Sequence, residues 1–303
     1  MLLCVISILA QNNHAQKKAV TETVKPAEKS VLQNYIDISS LPMLEKQRFM
    51  RSSVSAEEKA ALMKFHLAFQ FVARPDLTAE QKALIWESIT IIKADTYSRT
   101  DEGVQQEIVA LAPRIKALFP GKDGFEIFGN IGASQEDVKI LQKYRDLISL
   151  PSMAERKVKF GELSLIGKSN VWKVQMAIHL AGDFNLTKEQ QEFLWRAIGL
   201  IKAEIYSITI DNPKDTELKN SLQKFTAEAI ELFGREEGAK VFSMIGNELK
   251  VETGPNTEIV RPKCNCSHDS DWCWTRCAGN SCDRQSYCGF IWAWECTGTC
   301  LEN

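Results

Sequence analysis

The sequence predicts an all-α body made of two tandem homologous helical repeats, with a small disulfide-rich module at its C-terminal end. Three observations carry that reading. Whole segments return along the chain: LQNYIDISSLP (Leu32 to Pro42) comes back as LQKYRDLISLP (Leu141 to Pro151), and LTAEQKALIWESITIIKADTYS (Leu77 to Ser98) as LTKEQQEFLWRAIGLIKAEIYS (Leu186 to Ser207). Apolar residues in these segments recur with a helical period behind capping signatures. The stretch 264–303 holds Cys264, Cys266, Cys273, Cys277, Cys282, Cys288, Cys296 and Cys300, eight of the nine cysteines.

Taken in order, Met1–Ala10 reads MLLCVISILA and is followed by polar QNNHAQKK. The apolar run is too short to span a bilayer as a helix, which needs about 20 residues. Residues 1–15 read as an export signal with its processing site after Ala10 or Ala15. Cys4 lies too near the start for a lipoprotein signal and reads as an apolar residue of that segment. Residues 16–31, polar and carrying Pro26, read as a linker.

The repeats are placed at 32–132 and 141–246. The spacing of the matched blocks is constant through Tyr97 and Tyr206, with Trp86 opposite Trp195. It grows by five residues before ALFPGKDGFEIFGNIG (Ala117 to Gly132) returns as ELFGREEGAKVFSMIG (Glu231 to Gly246). The insertion falls in SITIDNPKD, where a loop absorbs extra length at small entropic cost. Thr78 and Thr187 each stand three residues before a glutamine, Gln81 and Gln190, the pattern of a capping box. Behind the caps, Ile85, Ile89 and Ile92 share one helical face, and so do Leu194, Ile198, Ile201 and Ile205. MKFHLAFQFVA and WKVQMAIHLAG read as further apolar helices, giving four or five helices to each copy.

The body shows no catalytic constellation: no P-loop, dinucleotide fingerprint, HExxH or GxSxG occurs. The expectation is a non-enzyme without cofactor or metal. His66 and His179 sit at neighbouring, non-equivalent places of the two copies and read as core or surface histidines. Glu80 and Glu189 fall in a first helical turn, where a carboxylate complements the helix dipole. Lys93 and Lys202 read as a solvated face. Tyr35 with Asp37, and Tyr144 with Asp146, suggest a repeated hydrogen bond. The Asn185 glycosylation pattern competes with the use of Thr187 as a cap. With Lys plus Arg at 37 against Asp plus Glu at 39, a net charge of −2 gives no footprint for nucleic acid.

Residues 247–263 (NELKVETGPNTEIVRPK) read as a second linker, with Lys263 as a candidate processing site beside Cys264. The cysteine density of 264–303 marks a scaffold in which cross-links replace a core. Two readings stand: four disulfides, or one or two zinc sites. The spacing, one CxC and two CxxxC without any CxxC, favours disulfides, whose connectivity is open on the sequence alone. Cys264 and Cys266 are expected to take different partners, because a CxC loop closes only with strain. Trp272, Trp274, Tyr287, Phe290, Ile291, Trp292 and Trp294 are more aromatic surface than so small a module can hide; part of it packs over the disulfides, and Trp272, Trp274, Phe290, Trp292 and Trp294 are candidate recognition residues. An extended strand over Gly289–Trp294 would set Phe290, Trp292 and Trp294 on one face.

CNCSHDSDWC (Cys264 to Cys273), the eight-cysteine total and the aromatic end with Cys296 and Cys300 resemble fulvocin C. Chains with such tails are grouped as bacteriocin fulvocin C-related proteins. The likeness covers about 264–303, and the spacings between Cys273 and Cys300 depart from it. It implies a secreted or surface-located bacterial protein, with the tail as antibacterial effector and the helical body as carrier or pro-region. Its expected partners are a receptor or envelope component on target bacteria and a processing protease. The tail carries Arg276 and Arg284 against Asp269, Asp271, Asp283, Glu295 and Glu302. That negative balance favours a receptor over general attraction to anionic membranes. The alternative is a secreted or surface binding protein whose tail or duplicated body recognises another surface, without toxin activity.

Overall fold

The computed structural model describes residues 31–52, 54–74, 76–93, 95–98, 102–181, 186–207, 215–246, 264, 266–267, 272, 277–278, 282 and 284–300. Outside them lie the expected export segment, the first linker except Val31, the second linker with Lys263, and Asn185, Cys273 and Trp274. The body is helical and the C-terminal region carries short strands. Two compact units divide it. The first holds the described residues of 1–142 and 180–183, the second those of 143–179 and 184–303, so the tail belongs to the second unit.

The first unit is built from α1 (Val31–Ser39), α2 (Met43–Ser52), α3 (Ala56–Ala73), α4 (Ala79–Ile91), α5 (Asp95–Ser98), α6 (Glu102–Leu118) and α7 (Lys122–Phe128), and α8 (Gln135–Ile148) leads out of it. These are more segments than the four or five expected. Breaks at Ser40–Pro42, after Ile91 and around Gly121 divide the apolar runs. Gly121, at φ 67°, supplies a turn that a residue with a Cβ would enter only with strain. The centre is α3, buried nearly all round through Leu62, Phe65, His66, Leu67, Phe69, Gln70 and Phe71. A helix apolar on every side belongs in a core rather than on a surface. Tyr35 of α1 meets Phe65 edge-on at 4.9 Å.

The second unit takes up the rest of α8, then α9 (Met153–Gly161), α10 (Leu165–Ala181), α11 (Lys188–Leu200), a 3-10 turn (Ala203–Ser207) and α12 (Thr216–Phe242). α12 is broken at Gly234, whose φ of 74° interrupts the helical run. The same local devices recur in both units. Thr78 and Thr187 each close a capping box with Gln81 and Gln190. Each glutamine amide also donates to a distant carbonyl, Gln81 to Leu118 and Gln190 to Leu232, both at 2.8 Å. Ile85, Ile89, Ile92, Leu194, Ile198, Ile201 and Ile205 are all buried. Trp86 and Trp195 are half-buried on α4 and α11. Among the described residues no helix is long and apolar enough to cross a membrane.

The tail is held by cross-links and two small antiparallel pairings. Cys264 bonds Cys282, Cys266 bonds Cys277 and Cys288 bonds Cys296; Cys300 is also disulfide-bonded. The two cysteines of the CxC pair therefore take different partners. Strand β1 (Cys277–Ala278) pairs with β4 (Thr299–Cys300), and β2 (Gln285–Cys288) with β3 (Trp294–Cys296). Cys266 bridges to Gly298, donating its N–H to the Gly298 carbonyl at 3.1 Å, which ties the start of the tail to its end. Disulfides of this kind belong to an oxidising environment.

Candidate functional site

The aromatic segment between β2 and β3 does not form the extended strand expected of it. Cys288–Cys296 holds the two strands 5.1 Å apart at their Cα atoms, so the intervening residues must loop back. Gly289 turns at φ 70°, and Phe290–Trp292 form a 3-10 turn. Ile291 and Trp292 lie at φ 46° and 54°, and Tyr287, at the register shift of β2, lies at 73°. Non-glycine residues avoid this region, a β-branched isoleucine most of all. These are the only non-glycine residues with positive φ among the described residues. The result is a hook rather than a ribbon.

The hook is turned onto the helices of the second unit. Phe290 and Ile291 are fully buried and Trp292 is 1% exposed; Trp272 and Trp294 are buried as well. Four of the five aromatics expected to form a recognition surface are thus covered by the chain itself, and Trp274 lies outside the described residues. Trp292 enters a pocket walled by Phe160 of α9 and Trp172 of α10, meeting both rings edge-on at 5.2 and 5.8 Å. Its indole N–H donates to the Ser243 carbonyl at 2.7 Å. Phe242 at the end of α12 lies nearly parallel to Phe290 at 5.1 Å, and Trp272 lies nearly parallel to both. A large aromatic body with one satisfied polar atom, enclosed by other rings, is the usual anatomy of an energetic anchor.

Two glycines let the tail come this close. A Cβ on Gly238, within α12, would lie 2.5 Å from the Trp272 ring, and one on Gly161, at the end of α9, 3.1 Å from the Tyr287 ring. Glycine inside a helix costs about 1 kcal/mol relative to alanine, so the approach of Trp272 gives Gly238 a physical reason.

Two lysines complete the face. Lys168 is 7% exposed; its ammonium donates to the Tyr287 hydroxyl at 3.0 Å and lies 4.9 Å from that ring's centre. The Lys157 ammonium sits 3.5 Å from Cys288 Sγ and 5.7 Å from the centre of the Trp292 ring. Burial pulls Lys157 down to about 8. Both contacts set a cation against π faces in a desolvated place. Among the described residues, the buried indole N–H groups of Trp172, Trp272 and Trp294 find no hydrogen-bond partner. The interface is apolar and aromatic with incomplete polar pairing.

Phe160, Trp172, Phe242, Lys157, Lys168, Gly161 and Gly238 were not singled out by motif reasoning. One signal was present: at the shared spacing, Phe160 and Trp172 stand opposite Arg51 and Met63.

The histidines form a second kind of arrangement, one in each unit. Tyr35 Oη bonds His66 Nδ1 at 2.7 Å, and His66 Nε2 donates to the Glu126 carbonyl at 3.2 Å. In the other unit Tyr144 donates to Gln175, whose amide lies 2.7 Å from His179 Nε2. At the shared spacing Gln175 stands opposite His66 and His179 opposite Gln70, so histidine and glutamine have exchanged places one helical turn apart. Burial holds both imidazoles down to about 4. Asp37 bonds Gln33 and Asp146 pairs with Arg145, so the tyrosines bond across to α3 and α10 rather than to their neighbouring aspartates. Lys93 and Lys202 are exposed. A polar cavity of about 270 Å³ in the first unit is lined by residues including Lys46, Arg74 and Glu126. Arg74 there is committed to Gln70 and Glu126 at 3.1 and 3.2 Å.

No family model, no curated protein and no solved structure matches this chain.

Proposed function

We propose that this is a secreted, fulvocin C-related protein of the bacteriocin type, with the tail as antibacterial effector and the helical body as the carrier that covers the tail's aromatic face. The observation that carries the proposal is the burial of Phe290, Ile291 and Trp292 against the helices by a module that has its own cross-links. A tail meant only to be tethered has no need of that contact, whereas an effector with an adhesive face gains from having it covered until use. The likeness of CNCSHDSDWC, the apolar start MLLCVISILA and the disulfides support the same reading. Once uncovered, Trp272, Phe290, Trp292 and Trp294 would meet a receptor or envelope component of the target cell.

The second reading is a secreted or surface binding protein whose tail is a structural cap without toxin activity. The seating of Trp292 between Phe160 and Trp172, as in a core, favours it. The deciding experiment compares the intact oxidised protein with the same protein cut within 247–263, on lawns of bacterial indicator strains. The effector reading expects inhibition that rises once cutting lets the tail part from the helices at the target cell, and that disappears on reduction. Absence of inhibition from both forms on every strain leaves the structural cap as the function of the tail.

A further inference from the structure

We infer that the second helical unit is a binding site for the oxidised tail in its own right, so that cutting the connecting chain leaves a non-covalent complex instead of a free tail, and a body can exchange its tail with another copy. The partner is a single chemical species: the cross-linked hook of this chain. The inference concerns retention alone and holds whether or not the tail inhibits bacteria.

Every disulfide among the described residues closes within the tail, and none ties it to a helix. What joins tail to helices is therefore contact. That contact has the composition of a recognition interface: a tryptophan anchor enclosed by Phe160 and Trp172, a parallel stack of Phe242, Phe290 and Trp272, and cations over rings. The helices are shaped for the hook, with Gly161 and Gly238 opening the places taken by Tyr287 and Trp272. The hook is in turn held in a conformation it would avoid alone. Tyr287, Ile291 and Trp292 all sit at positive φ where they touch or lie between touching residues, and such strain persists only where surroundings over-determine it.

The test replaces part of 247–263 in the full-length chain with a specific protease site, cuts the oxidised protein, and follows the two pieces by size-exclusion chromatography and sedimentation under non-reducing conditions. They are expected to travel together at about 1 μM, as a stable interface of this type would. Mixing isotope-labelled and unlabelled cut protein should yield mixed complexes over time. Gly238→Leu places a good helix former where Trp272 must lie, and Tyr287→Ala removes the Lys168 contact. Each should weaken retention, Gly238→Leu by at least about thirtyfold, while circular dichroism of the helices stays at the wild-type level. Separation of the wild-type pieces on cutting overturns the inference. Retention equal to wild type in both variants overturns it too, because the tail would then be held elsewhere. If Gly238→Leu loses helicity, Tyr287→Ala decides the matter.

Discussion

Replacing His66 by glutamine should lessen the acid sensitivity of the first unit while leaving its neutral-pH stability nearly intact. His66 is fully buried between the Tyr35 hydroxyl and the Glu126 carbonyl. A carbonyl accepts only, so Nε2 carries the proton and Nδ1 accepts from tyrosine, which fixes the neutral tautomer. Burial first, with Lys46 and Arg74 adding repulsion, holds the imidazole down to about 4 against an ordinary 6.5. The unfolded chain takes up this proton as pH falls below 6.5, and the folded chain resists until about 4. The histidine's contribution is thus fully present above 6.5 and is lost as pH falls through the folded value. The difference is worth about 3 kcal/mol. Glutamine can accept from Tyr35 and donate to Glu126 without titrating, as Gln175 accepts from Tyr144 and donates to the Met244 carbonyl. Urea unfolding of resonances from 31–142 at pH 7, 5.5 and 4.5 gives the comparison, because the carboxylates common to both proteins cancel in the difference. The expected result is a loss within about 1 kcal/mol at pH 7 and a variant whose decline between pH 7 and 4.5 is smaller by about 2 kcal/mol. An unchanged acid decline, or a wild-type His66 resonance that titrates near 6.5 in the folded state, refutes the reasoning.

Lys157→Met should raise the melting temperature of the second unit at pH 7, since the ammonium is held at about 8 by burial. The wild type should gain stability between pH 8 and 10.5, where the unfolded lysine stays charged and the folded one does not, and the variant should lack that gain. Removing Cys288 and Cys296 together, as serines, should free the hook and raise hydrogen exchange at 290–292 and in α12, at a cost of about 2–4 kcal/mol; unchanged protection would mean the strands hold the hook without the cross-link. Thr187→Ala should cost about 1 kcal/mol by leaving the Gln190 N–H without its cap, and Thr78→Ala a similar amount in the first unit, both read as shifts in thermal unfolding.

What the sequence disclosed and what it hid divide along the range of the interactions. The cap at Thr187 is a three-residue relation, and the face of Leu194, Ile198, Ile201 and Ile205 is a matter of period, so both are legible from a short window. The cross-linking of the tail follows from cysteine density. The hook was not legible, because GFIWAW alternates its aromatics like a strand, and what bends it, the Cys288–Cys296 closure and the seating of Trp292 on the helices, is long-range. Phe160 and Trp172 stand more than a hundred residues before Trp292, and nothing local says that an aromatic pair on two helices awaits a third ring. The exchange of histidine and glutamine between α3 and α10 was visible as letters, yet their bonds to Tyr35 and Tyr144 needed the packed helices.

The order of the parts along the chain bears on how the cross-links come to be right. The helices that hold Phe160, Trp172 and Phe242 precede the tail, so they are synthesised first, and domains tend to fold as units in that order. When the tail follows, seating Trp292 on those rings brings the flanking strands alongside, with Cys288 opposite Cys296 before either has been oxidised. Eight thiols in an unguided peptide have many ways to join; a prefolded surface that accepts only one shape of the hook favours the pairing compatible with it. Seating Trp292 on helices that are already folded would thus favour the Cys288–Cys296 pairing over its competitors.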